Sequence, residues 1–126
     1  MKRSDTNAKE LQLTRHIMKN VDLLSLWIDL AERVRVSAVG LKVVCDEPGD
    51  LRIETQEGRP FATVRIQKSH VGLYLLPLYY HPSVLVDELR PLKSGHSTIR
   101  FRPKNVNVIR CVNEQIDSLL PFIGHY

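Results

Sequence analysis

Residues that can bind ligands or catalyse reactions are concentrated between positions 68 and 100. The segment 93–98, Lys-Ser-Gly-His-Ser-Thr, combines a cation, an imidazole, three hydroxyl groups and a glycine. Cations and hydroxyl groups bind phosphate or carboxylate oxygens, and a glycine lets backbone N–H groups approach such an anion. We therefore predict an anion-binding site that also includes nearby residues before and after this segment. Its members are Lys68, His70, Lys93, Ser94, Gly95, His96, Ser97, Thr98 and Arg100.

Hydrolysis is the enzymatic alternative for the same segment, with Ser94 or Ser97 as the nucleophile and His96 as the base. Neither serine lies in a Gly-x-Ser-x-Gly turn, and no carboxylate close in sequence can orient His96. We therefore predict that the protein is not an enzyme. A third interpretation is that the charges only keep the loop soluble or discourage strand pairing at a sheet edge.

Metal-binding residues do not cluster in the sequence. His70, His81 and His96 each lack a second histidine at helical spacing, and Cys45 and Cys111 lie far apart. Structural and catalytic metal sites normally draw on closely spaced groups of such residues. We predict no metal or other cofactor, and we interpret the two cysteines as buried free thiols.

The longest apolar run, from Val71 to Leu78, is typical of a strand that is covered on both faces. Pro77 cannot donate a backbone hydrogen bond, so strand pairing should stop there. Ser83 is then positioned to cap a short helix that extends to Leu89. The end of the run carries more apolar and aromatic surface than one strand end is expected to bury, and we predict a homodimer interface there. It consists of Leu75, Leu76, Leu78, Tyr79 and Tyr80. The alternative is that the short helix covers this surface within one chain.

Two longer helices are predicted from residues at three- and four-residue steps. The first spans positions 13–35, and the second follows Pro103 and should end or bend at Pro121. The apolar stripe of the first helix is Leu13, Ile17, Val21, Leu24, Ile28, Ala31 and Val34. The stripe of the second is Ile109, Val112, Ile116, Leu119 and Ile123.

Five strands are predicted from alternating residues and turn signals, at positions 41–45, 51–55, 62–66, 71–78 and 97–102. The order helix, four strands, short helix, strand, helix is typical of an α+β fold. We predict a two-layer sandwich, in which two long helices cover one face of a roughly five-stranded antiparallel sheet.

The chain has 126 residues, enough for one domain with a hydrophobic core, which we place at residues 10–126. Residues 1–9 are predicted to form a disordered basic tail, because they contain too few apolar groups to fold. The net charge is +4, and the segment from Arg90 to Lys104 carries five cations and no acid, which makes a positive patch if they share a face. The sequence contains no apolar segment long enough to cross a membrane, so we predict a cytoplasmic protein with no membrane partner.

Residues 68–74, KSHVGLY, and residues 93–101, KSGHSTIRF, resemble the YdhG-like family of small bacterial domains. The matching residues are Lys68, His70, Gly72, Tyr74, Lys93, Thr98, Ile99 and Phe101. The resemblance covers about residues 58–120 and implies a frataxin-like fold. The chain departs from the pattern at Ser97, where many members have glycine, and it lacks their Gly-Met-Pro segment.

The resemblance also implies an alternative function, because a YdhG-like protein has been regarded as a frataxin-like iron chaperone. Asp22, Asp29 and Glu32 would then bind iron from one side of the first helix. Arg15, Lys19 and Arg33 interrupt this acidic region, which favours a solvated polar face. We rank iron binding second.

Our main prediction is therefore a non-enzymatic binding or scaffold domain. Its ligand would be an anionic small molecule or an acidic protein, attracted by the basic residues of the segment 93–100. Nucleic acid is not expected, because the chain contains no recognised DNA- or RNA-binding signature.

Overall fold

One antiparallel sheet of six strands forms the centre of the protein. The computed structural model describes the backbone of residues 2–126 and the side chains of residues 20–126. The strands are β1 (Lys42–Glu47), β2 (Asp50–Glu54), β3 (Pro60–Ile66), β4 (Val71–Leu75), β5 (Lys93–Ser94) and β6 (Thr98–Phe101). They lie in the order β1-β2-β3-β4-β6-β5, and all neighbouring strands are antiparallel.

The helices are α1 (Lys2–Ser37), α2 (Pro77–Tyr80) and α3 (Cys111–Leu119), and short 3-10 turns connect them to the strands. The predicted α+β class is confirmed, but the two predicted long helices are not, because α1 is long and the second helix is short. The second helix is divided into a 3-10 turn at Pro103–Val108, the nine residues of α3, and a 3-10 turn at Leu120–Phe122. Pro121, the second residue of the last turn, accounts for the division after α3, since proline lacks a backbone donor.

Three further differences lie between Leu76 and Ser94. Pro77 and Leu78, the predicted end of the fourth strand, instead begin α2. The predicted helix from Ser83 to Leu89 is replaced by 3-10 turns at Pro82–Val84 and Asp87–Leu92. These turns are held by α3, because the buried side chain of Gln115 accepts a hydrogen bond from Val86 N (2.7 Å) and donates one to Val84 O (3.1 Å). The sixth strand, β5, is two residues long and lies in a segment whose sequence predicts a loop.

The hydrophobic core lies between the helices and one face of the sheet. Trp27 of α1 is buried against this face, and its indole N–H donates a hydrogen bond to Val64 O at 2.8 Å. The sheet contributes residues that alternate along each strand, as expected for a sheet with one covered face. These buried residues are Leu51, Ile53, Val64, Val71, Leu73, Leu75, Ile99 and Phe101.

The predicted apolar stripe of α1 is wrong over its described part. Val21, Leu24 and Ile28 are 50%, 40% and 53% exposed, although Ala31 and Val34 are buried as predicted. The buried residues of this part of α1 are instead Leu23, Leu26, Trp27 and Leu30. Two apolar stripes lie side by side on this helix, and the sheet packs against the one that contains Trp27. Leu13, Ile17 and the predicted tail at residues 1–9 lie outside the described side chains.

The two cysteines are free thiols, as predicted; Cys111 is buried, but Cys45 is partly exposed. In the described part of the chain, no helix is both long enough and apolar enough to cross a membrane.

Candidate functional site

Two rows of side chains cross the face of the sheet opposite its buried core. Cross-strand partners point to the same face of a sheet, so the strand register defines each row. The first row is Arg52, Thr63, Tyr74 and Thr98, and the second is Asp50, Arg65, Gly72 and Arg100. We call these eight residues the open face. Its three arginines are exposed, and its threonines and tyrosine are partly exposed.

The ring of Tyr74 lies over Gly72 on the same strand. A Cβ atom built on Gly72 would lie 2.8 Å from Tyr74 Oη and 2.9 Å from both Cε2 and Cζ. The ring therefore occupies the position that a side chain at residue 72 would need. The phenol oxygen also accepts a hydrogen bond from Gln67 Nε2 at 3.2 Å, which fixes the far end of the ring.

Arginines stand on both sides of this ring. Gly72 pairs with Arg65 on β3 and with Arg100 on β6, so the two arginine Cα atoms lie about 5 Å from Gly72 on opposite sides. We call Arg65, Gly72, Tyr74 and Arg100 the tyrosine platform. It offers an aromatic ring between the backbone positions of two arginines. Their guanidinium groups can pair with phosphate or carboxylate and can stack on planar groups.

The ion pairs of the open face leave its charge unevenly distributed. Arg52 binds both carboxylate oxygens of Asp50, each at 3.0 Å, whereas Arg65 Nε lies 4.0 Å from the same carboxylate. The hydrogen bonds from Arg52 are the main reason that the pKa of Asp50 is lowered. Among the described side chains, none forms an ion pair with Arg100. The positive charge available to a ligand is therefore greatest at Arg100 and smallest at Arg52.

His70 lies in the positive electrostatic potential of Arg100 and Arg102. Its pKa is lowered, first by partial burial and then by the charges of Arg100 and Arg102. A positive environment disfavours the charged imidazolium, as these causes require. His70 thus lies near the basic β4–β6 region but is itself biased toward the neutral form.

The structure does not bring the sequence-predicted anion site together. His70 precedes Val71, which pairs with Phe101, whereas Ser97 O accepts a hydrogen bond from Leu75 N. His70 and Leu75 are five residues apart on one strand, or about 16 Å. Lys68 and His70 therefore lie at one end of β4, and the turn formed by Ser94, Gly95, His96 and Ser97 lies at the other.

The predicted positive patch is also divided between the two faces of the sheet. Lys93 pairs with buried Ile99 and so points to the helix-covered side, whereas Ser94 pairs with Thr98 on the open face. Thr98 and Arg100 are the two members of the predicted site that belong to the open face. Whether the remaining members bind an anion stays a prediction.

The hydrolase alternative gains no acid–base pair from the geometry. Among the described side chains, no hydrogen bond joins His96 to Ser94 or Ser97, and no carboxylate forms an ion pair with its imidazole. The imidazole ring instead packs edge-on against Tyr79, with 5.4 Å between ring centroids.

The three carboxylates of the iron alternative do not converge. Asp29 is bonded to Arg33 at 3.1 Å, and Glu32 lies 3.6 Å from Arg35. Asp22 and Asp29 line a groove of about 370 Å³ between α1 and the turn Pro103–Val108, which Glu32 does not line. Within the described residues, no group of three His, Cys, Asp or Glu side chains is arranged to hold a metal ion.

The predicted dimer interface is partly buried within the chain. Leu75 and Leu78 are 0% and 1% exposed, so they are not available to a second copy. Leu76 is partly exposed, and Tyr79 and Tyr80 are 54% and 49% exposed. Self-association through these three residues stays a prediction.

Arg52, Thr63 and Arg65 were missed by the sequence-based site prediction, which also left out Gly72 and Tyr74. A signal for the first three was present, since each alternates with buried apolar residues along β2 or β3. Alternation assigns a residue to a face, but the strand order is needed to show which residues are neighbours.

Comparison of the chain with known proteins found no matching family model, no matching curated protein and no matching solved structure. The resemblance to the YdhG-like family therefore stays a prediction.

Proposed function

We propose that this domain binds an anionic ligand on the open face of its sheet and does not catalyse a reaction. The observation that carries the proposal is the register of Gly72, which sets Arg65 and Arg100 on either side of the Tyr74 ring. A ligand with a planar part and a negative group matches this arrangement, because the ring can stack and the guanidinium groups can form charge-assisted hydrogen bonds.

Thr63 and Thr98 support the same proposal from the neighbouring row. They flank Tyr74 through the strand register, and both are partly exposed, so their hydroxyl groups can donate to an anion. The β1–β2 side contributes less, because Asp50 neutralises Arg52. The proposed ligand therefore lies over β3, β4 and β6.

We further propose that the domain works in the cytoplasm, where free thiols such as Cys45 and Cys111 stay reduced. An acidic protein is the competing ligand, since it would be attracted by the same arginines. Iron binding has no comparable support, because Asp29 and Glu32 are each paired with an arginine.

Titration with adenosine monophosphate, followed by backbone amide NMR shifts, tests the proposal. We expect the largest shifts at residues 65, 72, 74, 98 and 100. Replacement of Arg100 by alanine should weaken binding about tenfold, the effect of losing about 1.4 kcal/mol of one charge-assisted contact. Ribose 5-phosphate and adenosine should each bind more weakly than the nucleotide, since each lacks one of the two recognised parts.

Lys93→Ala is the matched control, because it removes an exposed cation from the same β5–β6 hairpin but from the other face of the sheet. It should leave the affinity nearly unchanged. The proposal is wrong if the shifts centre on residues 93–97, or if Lys93→Ala weakens binding as much as Arg100→Ala does. Tighter, Arg100-dependent binding of an acidic peptide would favour a protein ligand.

A further inference from the structure

A second group of exposed aromatic rings lies beyond the end of β4. Tyr79 and Tyr80 of α2 are half exposed, and their rings meet edge-on with 5.1 Å between centroids. His96 packs against Tyr79, and Tyr126 lies 6.1 Å from Tyr80. We call these four residues the aromatic ledge. Pro77 begins α2 two residues after β4 ends, which places the ledge at the Thr98 end of the open face.

A depression of about 180 Å³ is lined by Tyr74 of the tyrosine platform and by Leu76 and Ser97. Leu76 follows the end of β4 and Ser97 precedes the start of β6, so the depression extends from the platform toward the ledge. Ser97 is the chain neighbour of His96 in the ledge. The remaining lining residues are Pro60, Phe61, Ala62 and Thr63.

Cations lie at both ends of this surface. Arg65 and Arg100 flank the platform, and the guanidinium of Arg59 lies 6.0 Å from the ring centre of Tyr80 and 5.6 Å from that of Tyr126. Arg59 also donates a long hydrogen bond of 3.4 Å to the hydroxyl group of Tyr80. Acidic residues are also present around this surface. Asp46, Glu47, Asp50 and Glu54 belong to β1 and β2, and Glu57 is close enough to Tyr126 of the ledge to act on it electrostatically.

Alternating aromatic surfaces and arginines match a polymer of bases and phosphates. Base stacking on aromatic side chains and backbone pairing with cations are the two contributions that hold single strands without sequence recognition. A small anion needs only the platform, and an acidic peptide has charges but no series of planar groups to occupy exposed rings. The second group of exposed aromatic rings therefore favours a nucleic acid over a small anion or an acidic peptide.

We propose that the anionic ligand of the open face is a single-stranded nucleic acid that runs from the tyrosine platform to the aromatic ledge. One base stacks on Tyr74 between Arg65 and Arg100, and a later base stacks on Tyr79. The strand follows the depression past Thr63 and Ser97, and Arg59 attracts its backbone at the ledge. This inference rests on the proposed function, since it requires the platform to bind the first nucleotide.

Fluorescence anisotropy with a labelled ten-nucleotide oligothymidine, compared with thymidine monophosphate as competitor, tests the inference. We expect the oligonucleotide to bind at least tenfold more tightly than the mononucleotide, and its affinity to fall as salt is raised. Tyr79→Ala should weaken oligonucleotide binding about tenfold and leave mononucleotide binding unchanged. Tyr74→Ala should weaken both. Because Tyr79 is exposed, its replacement should leave the thermal midpoint nearly unchanged.

The outcomes separate this inference from the proposed function. Equal affinities for the two ligands, or an oligonucleotide affinity that Tyr79→Ala does not change, would overturn the nucleic-acid inference. If Arg100-dependent mononucleotide binding persists in that case, the proposed function stands. Failure of both ligands to bind contradicts both proposals. A polyglutamate peptide that binds through Arg100 more tightly than either would overturn the nucleic-acid inference and favour an acidic protein as the ligand of the open face.

Discussion

Gly72 and Tyr74 form a single structural unit on β4, in which the tyrosine ring covers the glycine. The two residues are two positions apart, so they point to the same face of the sheet. Three atoms of the tyrosine side chain would lie within 2.9 Å of a Cβ atom at position 72, so even a methyl group would collide with the ring. Glycine is therefore required at position 72 by the ring and not by its own backbone, whose φ is not positive.

Gly72→Ala should destabilise the fold and weaken anion binding together, because the methyl group forces the ring off the platform. We expect a loss of about 1–3 kcal/mol in the free energy of unfolding, typical of overpacking. Urea denaturation measures it, with the single tryptophan, Trp27, as the fluorescence probe. In a Tyr74→Ala background the same change should cost almost nothing, since no ring remains to be displaced. Equal costs in both backgrounds would show that the contact does not matter.

Single replacement of the three open-face arginines by alanine should weaken anion binding in the order Arg100, Arg65, Arg52. Arg100 has no ion-pair partner among the described residues, Arg65 has a distant one, and Arg52 is held by two hydrogen bonds to Asp50. A cation that is already neutralised contributes less to an incoming anion. Titrations at two salt concentrations measure the effect, and the salt dependence should decrease most in Arg100→Ala. The largest loss at Arg52 would contradict this order.

Acidification should destabilise the protein through His70. The folded-state pKa of His70 lies below its usual value of 6.5, so the unfolded chain takes up the proton first as the pH falls. Stability should therefore decrease from about pH 6.5 downward and level off once the pH is below the folded-state pKa. Urea midpoints at pH 7.5 and 5.5 measure this loss, and His70→Gln should reduce it.

His125→Gln is the control for His70, because it removes an exposed histidine elsewhere on the surface. It should leave more of the pH dependence intact than His70→Gln does. A direct check is the NMR titration of the His70 ring, whose pKa should rise in Arg100→Ala because one repelling charge is removed. A titration of His70 at or above 6.5 in the unmodified protein would rule out this explanation.

Gln115→Leu should destabilise the protein by about 3 kcal/mol, although leucine has a similar size. The change removes both hydrogen bonds to the segment 84–86 and leaves Val86 N–H and Val84 C=O without their partner, at about 1–3 kcal/mol each. Thermal or urea unfolding measures the loss.

Gln56→Leu is the matched control for Gln115. Its side chain also bonds a backbone group, Gly40 O at 2.6 Å, but it is exposed, so water can replace the lost contact. We expect Gln56→Leu to lower the free energy of unfolding by less than about 1 kcal/mol. Similar losses in the two variants would mean that the buried position of Gln115 adds nothing.

The amino-acid sequence by itself determined most of the strands and many of the core residues. Leu51, Ile53, Ala62 and Val64 alternate with polar residues, and this period of two is a local property of an extended chain. A local signal also predicted that strand pairing ends before Pro77, because proline has no backbone donor. Local signals also divided residues between the two faces of each strand.

Only the tertiary structure decided which of these residues became neighbours. Arg65 and Arg100 are 35 positions apart, and they meet around Gly72 because β3 and β6 both pair with β4. The same pairing turned Lys93 away from Arg100, and packing of α1 on the sheet chose Trp27 over Ile28 for the core. These choices depend on long-range contacts, whose free energy is gained only when distant segments come together, and a local sequence pattern does not encode them.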